Sequence, residues 1–271
     1  MTQKLIPMAI CYDFDKTLLP EYTTDYGFLQ AIGMDRNKFQ ERFGSEIKKY
    51  AGDFTVVFLK LILDLLKEHG LSTKEADIQE FSKNLAFFPG LLTWFDRINA
   101  YALTCGIKME HFIISAGLRE LIEKCKIAPY FREIFASSYL YDDNGDAAWP
   151  RVCINDANKT QYLFRISKGI LDVTDMSINR RMKHHDRAVH FENMIYIGDG
   201  DTDIPCMTVV KERGGHSIAV FDPNDLMAES IATHFLSEDR VNVVAPADYS
   251  EGSEIDLFVK GVIEMRSKRD L

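Results

Sequence analysis

Two clusters of aspartates, each directly after a short apolar segment, have the composition of a catalytic centre. Because the carboxyl ends of neighbouring parallel strands form the ligand crevice of an open α/β sheet, we expect these carboxylates to share one small space. Like charges that close together repel, and a hard cation such as Mg²⁺ relieves the repulsion. The pattern therefore indicates metal-assisted phosphoryl chemistry. The clusters are Asp13 and Asp15 after the apolar residues 5 to 12, and Asp199, Asp201 and Asp203 after the apolar residues 194 to 197.

The first pair has the spacing for nucleophilic and acid/base catalysis at one phosphoryl group. Asp13 can attack phosphorus and form an aspartyl-phosphate, which splits the hydrolysis into two displacements. Asp15 can protonate the leaving oxygen and later accept a proton from the attacking water. That role needs a raised pKa, for which crowding by other carboxylates is one available cause. Mg²⁺ would offset the charge on the phosphoryl oxygens.

Ser115 is a candidate phosphate ligand. It follows the apolar residues 112 to 114 and precedes Ala116 and Gly117. Its hydroxyl and the backbone N–H groups that follow it could bind a phosphate oxygen near the start of a helix. Serine is also a common helix cap, and both roles can hold together.

Lys159 is the second candidate for the phosphate. It opens a predicted helix after a loop and can supply a compact positive charge to the phosphate and the nucleophile. The alternative is an ordinary exposed lysine at a helix start, since lysines are mostly surface residues.

The elements around these residues predict an α/β fold. Short apolar runs alternate with helical spacing, and the turn-rich residues 142 to 146 indicate a hairpin. A sheet with helices on both faces follows. The predicted strands cover residues 5 to 12, 111 to 114, 134 to 136, 138 to 141, 151 to 154, 194 to 197, 217 to 221 and 233 to 236, and the predicted helices outside residues 21 to 87 cover residues 91 to 103, 118 to 125, 159 to 170 and 254 to 265.

Residues 21 to 87 differ from the rest of the chain. Their apolar residues recur at helical spacing, and the alternating pattern and short apolar runs that indicate strands are absent. Asp35 and Asp53 are suitable N-caps for two of the helices. We expect an all-helical cap inserted after the first strand, with residues 1 to 20 and 88 to 271 forming the catalytic core. Such a cap could close over the site and exclude water.

The aromatic residues of this insert are interpreted mainly as packing of the cap. Their helical periodicity fits a core better than a substrate cage. Tyr22 and Tyr26, nearest the first acidic pair, are the exceptions. The others are Phe28, Phe39, Phe43 and Phe58.

Composition limits the function classes. With 271 residues, 46% of them hydrophobic, the chain can bury a full core. The net charge of −9 disfavours a nucleic-acid or acidic-membrane surface, so the expected partner is a small phosphorylated metabolite. No apolar stretch reaches the roughly 20 residues that span a bilayer. The start of the chain lacks a signal-peptide pattern, so we expect a cytoplasmic protein. The oligomeric state is open.

Residues 179 to 190 form a basic, His-rich stretch in an acidic chain. Three interpretations are open: an ordinary solvated loop, an arm that reaches an anionic substrate, and a metal site. We favour the solvated loop, because charge runs usually are one. The adjacent His184 and His185 lack convincing ligand spacing.

In their order, these motifs resemble the four motifs of the haloacid dehalogenase (HAD) superfamily of phosphohydrolases, over residues 8 to 203. The resemblance implies a Rossmann-like, doubly wound parallel sheet and a phosphatase that works through an aspartyl-phosphate. It makes Asp13 the nucleophile and Asp15 the acid/base, and it assigns the phosphate to Ser115 and Lys159. The implied Mg²⁺ ligands are Asp13, the backbone carbonyl of Asp15, and Asp199, with Asp203 in support.

The helical insert is similar to the C1-type cap of the phosphoserine phosphatase-like branch. Members of that branch usually carry a substrate-reading Glu shortly after the first motif. This chain has Glu21 one place earlier than expected and Tyr22 at the expected place, which argues against serine phosphate as substrate. The segment from Lys159 to Asp199 is long for the family, so Lys168 competes with Lys159; we favour Lys159 for the helical spacing that follows it.

The sequence therefore predicts a Mg²⁺-dependent phosphatase that hydrolyses a small phosphomonoester. Two alternatives remain: a phosphotransferase or mutase that uses the same aspartyl-phosphate, and a non-catalytic phospho-ligand binder. A protein that only binds a phospho-ligand has little need for an acid/base residue such as Asp15.

Overall fold

A seven-stranded sheet forms the centre of the computed structural model, which describes residues 5–269. The strand order is β4-β3-β2-β1-β5-β6-β7, with β4 antiparallel to β3 and every other neighbouring pair parallel. β1 and β5 are thus neighbours in the middle of the sheet. The strands are β1 (Ile6–Tyr12), β2 (Ile107–Leu118), β3 (Phe131–Tyr141), β4 (Ala147–Val152), β5 (Met194–Gly198), β6 (His216–Phe221) and β7 (Val243–Pro246).

Helices cover both faces of the sheet. Successive side chains of a strand point to opposite faces, so the apolar residues of a buried strand need packing partners on both sides. In β1, Met8 and Ile10 pack in one apolar cluster with the helices at residues 91–104 and 254–269. Ala9 and Cys11 pack in a second cluster with the helices at residues 156–168, 204–212 and 226–237. This doubly wound α/β fold confirms the predicted fold class. The helices named are α6 (Leu91–Thr104), α8 (Asp156–Lys168), α9 (Ile204–Glu212), α10 (Leu226–Ser237) and α11 (Glu254–Arg269).

Residues 21 to 87 contain α-helices, as predicted, and one 3₁₀ turn (Glu80–Ser82), and they have an apolar cluster of their own. Asp35 caps α3 by accepting from the Lys38 N–H, and Asp53 caps α4 by accepting from the Thr55 and Val56 N–H groups. The third cluster also takes in Leu118, Leu121 and Tyr139 of the core, so the helices are packed onto the sheet. The helices are α1 (Thr23–Tyr26), α2 (Phe28–Ala31), α3 (Arg36–Tyr50), α4 (Phe54–Glu68) and α5 (Glu75–Gln79).

Three predictions outside the insert differ from the structure. The strands predicted separately at residues 134 to 136 and 138 to 141 form one continuous strand, β3. The strand predicted at residues 233 to 236 is wrong: these residues lie in α10, which Asp225 caps, and the last strand is β7. The helix predicted at residues 118 to 125 is only the single turn α7 (Arg119–Ile122), because β2 continues to Leu118. Within residues 5–269, no helix is long and apolar enough to span a bilayer.

A buried hydrogen-bond chain lies beneath the end of β1. The Trp94 indole donates to the Tyr12 hydroxyl (2.8 Å), which lies 3.0 Å from His111 Nδ1. His111 Nε2 lies 3.0 Å from Asn99 Oδ1. Since Asn99 Oδ1 can only accept, the ring carries its proton on Nε2 and accepts from Tyr12 on Nδ1. Burial lowers the pKa of His111 to about 3, so the ring is neutral when the protein is folded.

This histidine makes the fold sensitive to mild acid. The unfolded chain binds a proton at His111 below about pH 6.5, whereas the folded chain does not until about pH 3, so acid favours unfolding between these values. We expect His111 to account for about 2 kcal/mol of the fall in unfolding free energy from pH 7 to pH 5. Urea unfolding at both pH values should show that His111→Gln removes this part of the pH dependence. The exposed-site variant His185→Gln should keep it, and an unchanged pH dependence in His111→Gln would contradict the assignment.

Candidate active site

The two acidic clusters meet because β1 and β5 are adjacent and parallel. Tyr12 pairs with Ile197 at the ends of the two strands, and the Asp13 N–H donates to the Ile197 carbonyl (2.9 Å). Asp13 and Asp199 therefore leave the sheet side by side, as the strand pattern predicted. Thr17, fully buried in the loop after β1, donates from its hydroxyl to Asp199 Oδ1 (2.9 Å).

Lys159 joins the clusters by its ammonium group. Its Nζ lies 3.0 Å from Asp13 Oδ1 and 2.7 Å from Asp203 Oδ1, and its side chain is 1% exposed. Burial acts to lower the pKa of Lys159, but the two carboxylates outweigh it and raise the pKa above its ordinary value. Asn155 fixes the start of α8 by accepting from the Asn158 N–H, and this places Lys159 in the first turn of the helix.

Lys168, the competing lysine, lies elsewhere. It is at the opposite end of α8 from Lys159, and its Nζ contacts the carbonyls of Ile178 and Arg180 (2.8 Å for the second). Of the two lysines, the structure brings only Lys159 to the aspartates.

Asp203 is held by four donors. Its Oδ1 accepts from Lys159 and from the Tyr196 hydroxyl (2.7 Å), and its Oδ2 accepts from the N–H groups of Asp199 and Gly200 (3.3 Å each). A Cβ at position 198 would lie 2.6 Å from the Asp203 carboxyl carbon, so glycine is required there. Asp203 thus fixes the loop that carries Asp199.

The carboxylates have the donor set of a hard divalent cation. One oxygen each from Asp13, Asp199 and Asp203 can be chosen so that all lie within 4.8 Å of one another. Burial raises the pKa of Asp199 well above its ordinary value, and the carboxylates of Asp203 and Asp13 raise it further. Burial, opposed by Lys159, raises the pKa of Asp13 to about 7. A cation would relieve this repulsion, and oxygen ligands alone suit Mg²⁺.

Asp15 turns toward the helical insert. Its Oδ1 accepts from the Thr23 N–H (2.7 Å) and its Oδ2 from the Thr23 hydroxyl (3.4 Å), while a Cβ at Gly117 would lie 3.1 Å from Oδ2. Burial raises the pKa of Asp15 to about 6. The pKa of Asp15 is raised, as predicted, but the main cause is the loss of hydration on burial rather than crowding by other carboxylates.

Ser115 to Gly117 form a bulge at the end of β2. Ser115 pairs with Ala136 but Leu118 pairs with Ser137, so Ala116 and Gly117 have no partners in this pairing. The buried Ser115 hydroxyl accepts from the Gly117 N–H (3.0 Å). Ser115 does not cap the helix that follows, since the N-cap of α7 is Leu118 and its first helical residue is Arg119, one residue after the predicted start at residue 118. The bulge brings Ser115 and Ala116 to the same cavity as Asp13 and Lys159.

A cavity of about 260 Å³ lies above these residues and is bordered on its other side by the insert. Its insert wall is largely aromatic, and Phe54 in that wall packs edge-on against Phe43 with ring centroids 4.6 Å apart. Some aromatics interpreted as packing of the cap therefore also line the cavity. The aromatic residues of this wall are Tyr22, Phe39, Phe43, Phe54 and Phe58.

Arg36 and Gln40 supply polar groups to the same wall. The Arg36 guanidinium stacks on the Tyr22 ring at 3.8 Å and contacts Asp25 Oδ1 at 3.2 Å. Glu21 instead pairs with Lys16 (2.9 Å) and is not part of the cavity lining, whereas Tyr22 is. Tyr26 is not part of the lining either; its hydroxyl accepts from the Glu21 N–H.

No site role was predicted from the sequence for Arg36, Gln40, Thr17 or Tyr196. Thr17 and Tyr196 are close in sequence to the aspartates that they support, so polar residues flanking the two clusters were an available signal. Arg36 and Gln40 are one turn apart at the start of α3, where nothing in the local pattern marks a substrate contact.

A family model described as Putative Phosphatase matches residues 8–218. An uncharacterized protein of Borreliella burgdorferi is 25% identical over 280 residues, which cover 92% of this chain and 93% of that protein.

Solved structures with the same fold include a HAD family hydrolase from Salmonella enterica subsp. enterica serovar Typhi, with TM-score 0.62 and 20% identity over 97% of this chain and 73% of that one. A second is a phosphoserine phosphatase with a phospho-aspartyl intermediate analogue, with TM-score 0.54 and 16% identity over 94% and 99% of the two chains. A third is a probable phosphoserine phosphatase from Vibrio cholerae, with TM-score 0.57 and 12% identity over 100% of this chain and 69% of that one. These likenesses confirm the predicted fold.

Proposed function

The chain belongs to the Putative Phosphatase family, and on that premise we propose that it hydrolyses a small phosphomonoester through an Asp13 aspartyl-phosphate, with Mg²⁺ as cofactor. One observation carries the proposal: Asp13, Asp15, Asp199 and Lys159 line one cavity, with Lys159 paired to Asp13 and to the buried Asp203. A residue set that combines a nucleophile, a separate acid/base and a buried cation suits phosphoryl transfer better than ligand binding alone.

In the first step the Asp13 carboxylate attacks phosphorus. Lys159 holds Asp13 Oδ1 in place and opposes the rise that burial causes in the pKa of Asp13, which favours the ionised form that a nucleophile requires. The Ser115 hydroxyl and the bulged backbone at Ala116 line the cavity beside it and can bind non-bridging phosphate oxygens. The bond between phosphorus and the ester oxygen breaks as the bond to Asp13 forms.

Asp15 supplies and then removes the proton. With its pKa raised to about 6, a useful fraction of Asp15 is protonated near neutral pH and can donate to the leaving oxygen. The ionised Asp15 then accepts a proton from the water that attacks the aspartyl-phosphate. Its contact with Thr23 places this carboxyl at the boundary between core and insert, where the leaving group departs.

Asp13, the Asp15 backbone carbonyl and Asp199 would hold Mg²⁺, with Asp203 orienting the loop beneath them. When bound, the ion neutralises charge on the phosphoryl oxygens. A phosphoserine phosphatase with a phospho-aspartyl intermediate analogue shares this fold, which supports the covalent route.

The cavity wall favours an ester whose organic part is apolar or aromatic. The five aromatic residues of the insert face the space above Asp13, while Glu21 is turned away to Lys16. A serine moiety would bring an ammonium group into this space with no carboxylate at position 22 to receive it. We therefore expect aryl phosphates to be better substrates than phosphoserine.

Phosphate release from a panel of alkyl, aryl and aminoacyl phosphomonoesters, with Mg²⁺ and with EDTA, tests this proposal. We expect release of inorganic phosphate that requires Mg²⁺, with kcat/KM for an aryl phosphate roughly 10-fold or more above that for phosphoserine. Transfer to an added alcohol in place of release would favour a phosphotransferase. No turnover of any ester would contradict the proposed activity.

A matched pair of variants on α4 tests the aromatic wall. Phe54 lines the cavity but is 59% exposed, so Phe54→Ala should fold. It should raise KM for aryl esters about 2- to 10-fold, as expected for an aromatic contact of about 0.5–1.5 kcal/mol. Val56→Ala, also exposed on α4 but not part of the lining, should leave KM unchanged.

A further inference from the structure

Three metal-ligating side chains come together in the segment between α8 and β5. One ring nitrogen each of His184 and His190 and one carboxylate oxygen of Glu192 lie within 4.8 Å of one another. His184 Nε2 is 3.4 Å from Glu192 Oε1. The two imidazole rings meet nearly perpendicular, at 81°, with centroids 3.9 Å apart.

This geometry suits a borderline transition metal. Zn²⁺ binds imidazole nitrogen and carboxylate oxygen at about 2.0–2.2 Å, so neighbouring ligand atoms of a tetrahedral site are about 3.3–3.5 Å apart. The His184–Glu192 separation already has this value, and His190 brings a third ligand atom to within 4.8 Å of the other two. Imidazole donors favour Zn²⁺, Co²⁺ or Ni²⁺ over Mg²⁺, which prefers oxygen.

The cluster is separate from the acidic site. Glu192 lies in a 3₁₀ turn just before β5, whereas Asp199 follows the other end of that strand. The five residues of β5 put roughly 16 Å of strand between the two.

The cluster also ties together a segment with little regular structure. Residues 170 to 193 contain 3₁₀ turns but no strand or α-helix. Bonds from Arg165, Lys168 and Ser167 of α8 to the segment hold it along that helix. A metal at His184, His190 and Glu192 would cross-link the turn at residues 184 to 186 to the turn at residues 191 to 193.

We propose that His184, His190 and Glu192 form a second metal site, of the Zn²⁺ class, that fixes the 170 to 193 segment. This replaces the interpretation of the whole stretch as a solvated loop. The adjacent His185 has no part in the site, because its Nε2 faces Asp186 at 3.4 Å instead. The site makes no contact with the cavity, so its loss leaves phosphate release unchanged.

Calorimetric titration of the full, metal-stripped chain with Zn²⁺, in excess Mg²⁺ to occupy the acidic site, tests the proposal. His184→Gln and His190→Gln should each weaken one equivalent of Zn²⁺ binding by at least about 10- to 100-fold, the loss typical when even a supporting partner of a ligand is removed. His185→Gln makes the same change in composition and should bind as wild type does. Equal Zn²⁺ binding by wild type, His184→Gln, His190→Gln and His185→Gln would overturn the proposed site.

Limited tryptic digestion gives an independent readout. Arg180, Arg181, Lys183 and Arg187 are cleavage points within the segment. Zn²⁺ should slow cleavage there several-fold in wild type and His185→Gln, but not in His184→Gln. A merely adventitious surface ion would slow cleavage in none of them, and that result would also overturn the proposal.

Discussion

Replacing Asp13 with Asn should lower kcat/KM for phosphate release by roughly 10⁴-fold or more, the scale seen when the nucleophile of a covalent mechanism is removed. The amide has no ionised oxygen to attack phosphorus, although its carbonyl oxygen can still accept from Lys159. The variant should fold normally, since the raised pKa of Asp13 means that burial disfavours its charge.

Steady-state kinetics and urea unfolding without Mg²⁺ together test this prediction. The free energy of unfolding should be unchanged or slightly higher, because the neutral amide removes one of the crowded charges. Asp143→Asn is the matched control: Asp143 is an exposed carboxylate that does not line the cavity, and its replacement should cost little activity. Comparable losses in both variants would mean that net charge, rather than the Asp13 nucleophile, supports turnover.

Replacing Asp15 with Asn should have an effect that depends on the leaving group. For an alkyl ester, whose oxygen needs a proton to depart, we expect a loss of about 10²- to 10⁴-fold in kcat/KM. An aryl ester with an acidic phenol departs unaided, so its first step should be nearly unaffected. The second step still lacks a base, and aspartyl-phosphate should accumulate.

The measurement is a burst of phenol release that is followed by slow turnover. The amide introduced by Asp15→Asn would keep an oxygen that accepts from the Thr23 N–H, so the contact between residue 15 and the insert should persist. Full turnover of alkyl esters by Asp15→Asn would remove Asp15 from the mechanism. A loss that is equal for alkyl and aryl esters would point to a structural role.

The two strands that carry the aspartates, β1 and β5, could be predicted because each is a short, largely apolar run that is followed by aspartates. Asp35 and Asp53 marked the starts of α3 and α4 for an equally local reason, a side chain that accepts from its own helix. The short run at residues 233 to 236 misled the prediction. Apolar runs of that length fit a buried helix as well as a strand, and in α10 Ala232 and Phe235 face the core at helical spacing.

The aromatic wall of the cavity could not be predicted, because it depends on how far the insert folds over the sheet. Phe39 is 1% exposed and packs in the insert core, yet it also borders the cavity. The helical periodicity of the sequence identifies the packing role and carries no information on which residues line the cavity. The pairing of His184 with Glu192 was missed for a similar reason: the ligands approach across two turns rather than along one helix face.

The proposed aspartyl-phosphate is tested most directly by acid-quenching Asp15→Asn after brief incubation with Mg²⁺ and an aryl phosphate, then mapping the phosphoryl group by peptide mass spectrometry. We predict stoichiometric phosphorylation of Asp13, and none in an Asp13→Asn/Asp15→Asn double variant. Phosphorylation at another residue, or a burst of phenol with no phosphorylated peptide, would contradict the covalent mechanism.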